Sequence, residues 1–154
     1  MPAPATPCPP ALARIVARFE PLPEDERRAQ LVACAEQAVR HEPRPGETFD
    51  LEDVRKDEEC TDTVGIFLKL DTRRRVSLRI ALGPRVQTLT KAMTSILCQG
   101  FEGLTPEEII ALPSDFVPKI AGRQLVRIRS QTVFYVLTRI KGACQVLLRR
   151  RESP

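Results

Sequence analysis

The sequence predicts an α+β fold in which a small antiparallel β-sheet packs against several α-helices. Two observations carry this prediction. Between residues 62 and 82, two runs of alternating apolar residues flank a polar turn, which is the pattern of a β-hairpin with one buried face. On both sides of the hairpin, apolar residues recur every three or four positions, which is typical of amphipathic helices. The length of 154 residues fits a single domain.

Three parts can be distinguished along the chain. Residues 1–10 are rich in proline and predict a flexible tail, residues 11–148 a single domain, and residues 149–154 a basic C-terminal tail. The composition, 42% hydrophobic and 29% charged, is that of a globular domain and excludes a wholly disordered chain. No apolar run approaches the roughly 20 residues of a membrane span, so we expect no membrane partner.

The first residues show neither a secretory signal nor an Arg-rich transit peptide. We therefore expect a cytoplasmic protein. In a eukaryote, a plastid or mitochondrial site stays open if a presequence has been removed.

Two helices are predicted before the hairpin. The first is ended by Pro21 and Pro23. The second covers residues 24–41, begins with acidic residues that suit the positive end of the helix dipole, and ends at His41. Residues 42–60 follow as a long acidic loop that ends just before the hairpin. Loops of this length are often functional.

Further helices are predicted after the hairpin. An apolar stripe over residues 85–99 indicates a central helix. Residues 105–108, with the letters TPEE, combine a capping box with proline at the first helical position, which begins a short helix. A turn follows at 114–118. The last helix runs from about Ser130 to Leu148 and has one apolar face.

The charge is uneven along the chain. Residues 1–60 carry 8 Lys and Arg against 13 Asp and Glu, whereas residues 61–154 carry 16 against 7. The polar face of the hairpin shows Lys69, Arg75 and Arg79, and we expect it to meet solvent or a partner. Aromatic residues make up only 5% of the chain and no nucleic-acid-binding motif is present, so we expect no nucleic-acid partner.

Five cysteines occur, at positions 8, 34, 60, 98 and 144. Their number is odd and no two lie within metal-binding spacing such as C-x2-C, which disfavours a disulfide framework and a structural zinc site. Cys34, Cys98 and Cys144 fall on apolar helix stripes, where a free cysteine acts as a small buried hydrophobe. Cys8 lies in the tail. Cys60 alone closes the long loop, where a thiol can be presented to a partner.

The neighbours of Cys60 do not suit a strong nucleophile. The sequence around it is acidic, and nearby carboxylates disfavour the thiolate. His41 is the only histidine, and its position at a helix end favours an interaction with the helix dipole over a catalytic pair with Cys60. A cysteine that receives a group from another enzyme needs no strong activation. That role fits Cys60 better than hydrolysis does.

Four stretches of the sequence resemble motifs of one known family. Residues 104–116, LTPEEIIALPSDF, are similar to its T-P-E-E-I-x-x-L-x-x-x-D-F segment. Residues 127–132, RIRSQT, are similar to its S-P-S-R-S-N-G segment, with Arg129 and Ser130 matching. Residues 91–93, KAM, are similar to K-G-L on its central helix. Cys60 and Val64 match its Gly-Cys-x-Ser-x-Val-Trp motif.

Over residues 12–143 the chain thus resembles the SufE-like family of sulfur acceptors, which serve cysteine desulfurases in iron–sulfur cluster assembly. It departs from the cysteine motif at three positions, where Glu59, Asp62 and Gly65 stand in place of glycine, serine and tryptophan. The entry to the central helix also differs, since Arg-Val-Gln at 85–87 replaces the family's Ser-Asp-Ala.

The resemblance implies a fold, a role and partners. A third strand would pair with the hairpin. Cys60 would be the persulfide acceptor, and Arg129 would steady its loop or the bound sulfur. The protein would be an accessory sulfur carrier without a cofactor or metal of its own. Its partners would be a pyridoxal-phosphate-dependent cysteine desulfurase and iron–sulfur scaffold proteins, with monomer and homodimer both open.

An alternative function stays open at this point. A divergent, non-catalytic binding module of the same fold would contact a protein partner through the basic face of the hairpin.

Overall fold

The structure is a computed structural model that describes residues 8–56, 63–123 and 131–152. The predicted α+β fold is confirmed: α-helices pack against a three-stranded antiparallel sheet. No helix within these ranges is both long enough and apolar enough to cross a membrane. The elements are, in order, α1 (Pro10–Phe19), α2 (Glu24–Glu36), a 3-10 helix (Ala38–His41), β1 (Leu51–Lys56), β2 (Thr63–Leu70), β3 (Val76–Leu82), α3 (Thr88–Phe101), α4 (Pro106–Ala111), α5 (Phe116–Ala121) and α6 (Gln131–Glu152).

The sheet has the strand order β1-β2-β3, and both neighbouring pairs are antiparallel. The hairpin predicted over residues 62–82 is confirmed as β2 and β3, which pair from Val64↔Leu82 to Leu70↔Val76. Alternate residues of the two strands are buried on one face, as the period-two pattern requires. The buried residues on this face are Val64, Ile66, Leu68, Val76, Leu78 and Ile80.

The turn of the hairpin is organised by one carboxylate. Asp71 Oδ1 accepts hydrogen bonds from the backbone N–H groups of Arg73, at 2.8 Å, and Arg75, at 2.9 Å. These bonds, first that of Arg75, lower the pKa of Asp71 below its ordinary value. Arg74, between the two donors, has a φ of 64°. The aspartate thus stabilises a tight turn that includes a left-handed residue without glycine.

Strand β1 corrects the expectation that residues 42–60 form a loop throughout. It runs antiparallel to β2, in register from Leu51↔Leu68 to Lys56↔Thr63. The structure therefore places a third strand beside the hairpin, as the resemblance implied. Only residues 57–62 therefore connect β1 to β2.

The composition of β1 explains why its sequence does not predict a strand. Leu51 is buried, but the next position on its side of the strand is Asp53, and Val54 on the other side is 56% exposed. With a carboxylate on the packed side and a valine on the exposed side, the strand lacks the apolar alternation on which such predictions depend.

Four helical segments differ from their predicted bounds, and one of them is the central helix, which was expected over residues 85–99 and is Thr88–Phe101. The helix expected over residues 24–41 is α-helical only to Glu36 and then tightens into the 3-10 helix. The last helix continues to Glu152, beyond the expected end at Leu148, and residues 116–118 of the turn expected at 114–118 belong to α5. Helix ends are the least predictable part of a helix, because the last turn often changes to 3-10 geometry.

Helix α3 lies at the centre of the core. It is buried along nearly its whole length and packs against α1, α2, α6 and β3. A helix surrounded in this way must be apolar or carry small polar residues on almost every side. Its small buried polar residues are Thr90, Thr94 and Ser95.

The capping box predicted from residues 105–108 is confirmed. Thr105 Oγ1 accepts a hydrogen bond from the N–H of Glu108, and Glu108 Oε1 accepts one from the N–H of Thr105, both at 3.2 Å. Pro106 occupies the first helical position, where its missing N–H costs nothing. Local chemistry thus fixes the point at which α4 begins.

We expect Thr105→Ala to lower the free energy of unfolding by about 1 kcal/mol, because one helix-terminal N–H loses its acceptor. The thermal midpoint should fall by about 2–4 °C. Thr105→Ser should retain the stability. The matched control is Thr72→Ala, since Thr72 is exposed and its side chain forms no hydrogen bond within the described residues. Equal losses in the two alanine variants would contradict the role of the cap.

Candidate functional site

The two predicted site residues, Cys60 and Arg129, lie outside the described residues, in segments 57–62 and 124–130. The described residues on either side of each segment locate the candidate site in the fold. Lys56, the last residue of β1, pairs with Thr63, the first residue of β2. Cys60 therefore belongs to the connection between two adjacent antiparallel strands.

A buried arginine on α6 fastens both of these strands. The side chain of Arg139 is part of the core, with a residue exposure of only 4%. Its Nη1 donates to the carbonyl oxygen of Val64 on β2, and its Nη2 donates to that of Asp53 on β1, both at 2.7 Å. The Asp53 carboxylate also forms an ion pair with Nη2, at 3.4 Å.

The two ends of the guanidinium thus contact different strands. Arginine suits this position because its planar fork presents several donors in a fixed arrangement. Tyr135 lies one turn earlier on α6, and its ring packs against the same guanidinium. The central carbon of the guanidinium is 5.6 Å from the centroid of the Tyr135 ring. Arg139 Nε is buried and has no hydrogen-bond partner among the described residues.

Helix α6 runs opposite to β1. Near its C-terminal end, Arg150 donates to the carbonyl oxygen of Asp50, just before β1 begins. Further towards its N-terminal end, Arg139 contacts Asp53, further along β1. The start of α6 at Gln131 is therefore directed towards the end of β1. The end of β1 and the start of α6 therefore point the same way. The two segments that carry the predicted site residues adjoin these ends, since 57–62 follows β1 and 124–130 precedes α6.

Sequence reasoning did not identify Arg139, although a signal was present. The apolar face of α6 includes Val136, Ile140 and Ala143, all buried. Position 139 lies three residues after the first and four before the last, so it belongs to the same face. An arginine on an apolar helix face must find buried acceptors, and this requirement could have indicated a partner on the sheet.

Cys34, Cys98 and Cys144 fit the prediction that they pack as apolar side chains on helices. Cys98 on α3 and Cys144 on α6 are buried, and burial raises the pKa of each thiol to about 12. Cys34 on α2 is partly buried, and burial raises its pKa as well. Cys8 is exposed before α1, although partial burial still raises its pKa. None of the four is activated as a thiolate.

His41 lies at the end of the 3-10 helix and is partly buried. Burial lowers its pKa, and the cation of Arg79 lowers it further. An interaction with the negative end of a helix dipole would raise the pKa. The surroundings of His41 therefore favour the neutral ring.

The basic face of the hairpin is largely engaged within the protein. Glu47 forms ion pairs with Lys69, at 3.0 Å, and with Arg79, at 3.4 Å. Although burial alone would raise the pKa of Glu47, hydrogen bonds from the Arg44 N–H and from Lys69 lower it. Arg75 donates to the carbonyl oxygen of Gly103 at 2.7 Å. A partner at this face would have to compete with these contacts.

The same face carries an aromatic pair. The rings of Phe49 and Phe67 lie 5.2 Å apart, tilted by 53°. Phe67 also covers Gly65, because a Cβ at Gly65 would lie 2.8 Å from the Phe67 ring. Position 65, where the SufE-like motif has tryptophan, therefore has no room for a side chain unless Phe67 moves.

Within the described residues, no group of three or more His, Cys, Asp or Glu side chains is placed to hold a metal ion. The candidate site is thus bordered by the adjacent ends of β1 and β2 and by the buried Arg139, and the outer face of the hairpin is engaged in ion pairs.

Comparisons with known proteins identify the fold. No family model matches the chain, and no curated protein sequence matches it. The chain is similar to a solved structure, the solution structure of a hypothetical protein from Thermus thermophilus, with a TM-score of 0.72. The two are 22% identical, and the match covers 92% of this chain and 98% of that one. They share a fold. At this identity the likeness extends no further.

We expect Arg139→Met to lower the free energy of unfolding by about 3–5 kcal/mol, because it leaves Asp53 and two carbonyl groups without their buried donor. Arg139→Lys should lower the free energy of unfolding by a smaller amount, since one ammonium group cannot bind both strands as the guanidinium does. The control is Arg150→Met, which removes an exposed arginine on the same helix. Chemical denaturation measures all three. A loss in Arg139→Met no greater than in Arg150→Met would contradict the role of Arg139.

We expect Cys8 and Cys60 to react first when the folded protein is alkylated. With a pKa of about 12, Cys98 and Cys144 hold only about one thiolate in 10⁴ at pH 8, and both are buried. Mass spectrometry of peptides after timed alkylation measures the order, and the unfolded protein, in which all five should react, serves as control. Labelling of Cys98 or Cys144 before Cys60 would contradict this assignment.

Proposed function

We propose that the protein is a sulfur acceptor for a pyridoxal-phosphate-dependent cysteine desulfurase, and that it carries persulfide sulfur on Cys60 towards iron–sulfur cluster assembly. One observation supports this most. Cys60 lies in the connection between β1 and β2, and Arg139 holds both strands to α6 within a few residues of that connection. The two strands that flank the connection are thereby held in place.

The remaining cysteines also favour this assignment. Cys98 and Cys144 are buried thiols with a pKa of about 12, and Cys34 packs on α2. A carrier thiol must reach the sulfur atom of a second protein, which a buried side chain cannot do. Cys8 is exposed, but it lies before the first helix, beside residues of α1 and α5.

The proposed transfer is a thiol exchange. The Cys60 thiolate attacks the terminal sulfur of the persulfide on the desulfurase cysteine. A new sulfur–sulfur bond forms on Cys60 as the old one breaks, and the desulfurase cysteine leaves as a thiolate. One thiolate is consumed and one released, so no external oxidant or reductant is needed. In this scheme Arg129 supplies a cation that steadies the loop or the transferred sulfur.

The transfer needs no cofactor in this chain, because the desulfurase supplies the pyridoxal phosphate. The acidic residues on both sides of Cys60 in the sequence make it a modest nucleophile. A modest nucleophile is adequate here, since the leaving group is a good one and the partner holds the two sulfur atoms together.

The alternative, a non-catalytic module that docks through the basic hairpin face, has less support. Lys69 and Arg79 already share Glu47, and Arg75 is bonded to Gly103. These internal contacts reduce the charge that the face offers to a partner.

We expect Cys60→Ser to abolish sulfur acceptance by this protein, because a hydroxyl cannot hold a persulfide. The fold should be retained, since the substitution exchanges one sulfur for oxygen in a segment predicted to be a loop, where little packing is lost. The assay incubates the protein with desulfurase and cysteine, and mass spectrometry locates the added sulfur.

The matched control is Cys8→Ser, which removes the exposed thiol of Cys8 and should accept sulfur like the parent. Full acceptance by Cys60→Ser, or loss of acceptance in Cys8→Ser alone, would overturn the proposal. Binding of the desulfurase by Cys60→Ser without acceptance would agree with it.

A further inference from the structure

The two edges of the sheet differ. On the outer side of β3, Val76 donates to the carbonyl oxygen of Leu104 at 2.7 Å and accepts from the N–H of Gly103 at 3.0 Å. This edge is therefore partly closed by the chain itself. On the outer side of β1, the described residues provide no neighbouring strand. An open strand edge is able to pair with a strand of another chain.

The sequence of β1 is complementary to itself. Read from residue 51 to 56 it is LEDVRK, with acidic residues first and basic residues last. If two copies of β1 pair antiparallel about Val54, position 52 of each copy faces position 56 of the other. Glutamate then lies opposite lysine twice, and the two valines meet at the centre. Opposite charges at facing positions of an antiparallel pair are stabilising, whereas like charges are destabilising.

Among the described side chains of β1, Glu52 and Val54 face open surroundings. Glu52 is exposed and forms no hydrogen bond or ion pair within the described residues. Val54 is 56% exposed, which is high for a valine in a strand. Asp53, in contrast, is already bound to Arg139 and is not needed at the edge. The acidic residue that remains is the one that the self-pairing requires.

The approach to β1 from the side of α6 is also open. Leu51, Asp53 and part of α6 border a groove of about 420 Å³. Gly142 and Ala143 line it with little side-chain volume, and Val146 beside them is 38% exposed. Gln145 and Arg149 also line the groove, and the open space lies beside the first half of β1.

Charged residues on an edge strand often serve to prevent association. Their order decides which effect they have. Charges of one sign along β1 would repel a second copy in any register, whereas acid followed by base attracts it in the antiparallel register centred on Val54.

We propose that β1 is a homodimer interface, through which two copies of this chain form one continuous six-stranded antiparallel sheet. A two-fold axis passes through the Val54 pair, so both copies use the same surface and the assembly closes at two. The interface is independent of the sulfur-acceptor proposal, since it uses neither Cys60 nor Arg129.

The test uses charge exchange on the full chain. Glu52→Lys sets two lysines opposite each other at both ends of the interface, and Lys56→Glu sets two glutamates there. Each single variant should weaken dimerisation about tenfold or more, because attractive pairs become repulsive. The double variant restores opposite charges and should dimerise like the parent. A mixture of the two single variants should form a heterodimer.

Sedimentation velocity from about 1 μM to about 1 mM measures these affinities for each protein. Circular dichroism and thermal unfolding establish that each variant is folded. A parent protein that stays monomeric throughout this range would overturn the proposal. So would a dimer that the single variants do not weaken, or a double variant as weak as the singles.

Discussion

The fold depends on one buried cation. Arg139 lies in the core of the protein, where its two terminal nitrogens bind the carbonyl oxygens of Val64 and Asp53 and the Asp53 carboxylate. A buried charge without partners is costly, so any arrangement that separates these groups is strongly disfavoured. A slip of β1 by one residue along β2 would turn Asp53 to the other face of the sheet and leave the guanidinium without its carboxylate. The arginine therefore specifies the register of a strand whose apolar residues are too few to do so.

The parts of the fold that the sequence predicted well are those with local signals. The hairpin has two alternating apolar runs on either side of an Asp71 turn. Helix α4 has its capping box and proline within four residues, and α3 has a long apolar stripe. In each case the residues that decide the structure are neighbours in the chain, so pattern and propensity suffice. Helix ends were less accurate, since their last turns depend on packing.

The parts that sequence reasoning missed depend on distant partners. Asp53 lies on the packed side of β1 because Arg139, 86 residues later, neutralises it. Read alone, Asp53 indicates a loop. Arg139 read alone is an irregularity on an apolar helix face. For the candidate site, the sequence places Cys60 in the segment just before the hairpin, and the role proposed for it comes from the family resemblance. The contribution of Arg139 to the framework of that site emerged only from the fold.

The long separation between Asp53 and Arg139 also has a consequence for biosynthesis. The hairpin of β2 and β3 is formed by nearby residues and can begin to assemble once its own sequence has left the ribosome. Strand β1 precedes the hairpin in the chain, yet its counter-charge is on the last helix, which is translated at the end. Until that helix emerges, the nascent chain holds an acidic segment without its fastening cation. Strand β1 is thus synthesised before the hairpin, but it is stabilised only after the last helix has been made.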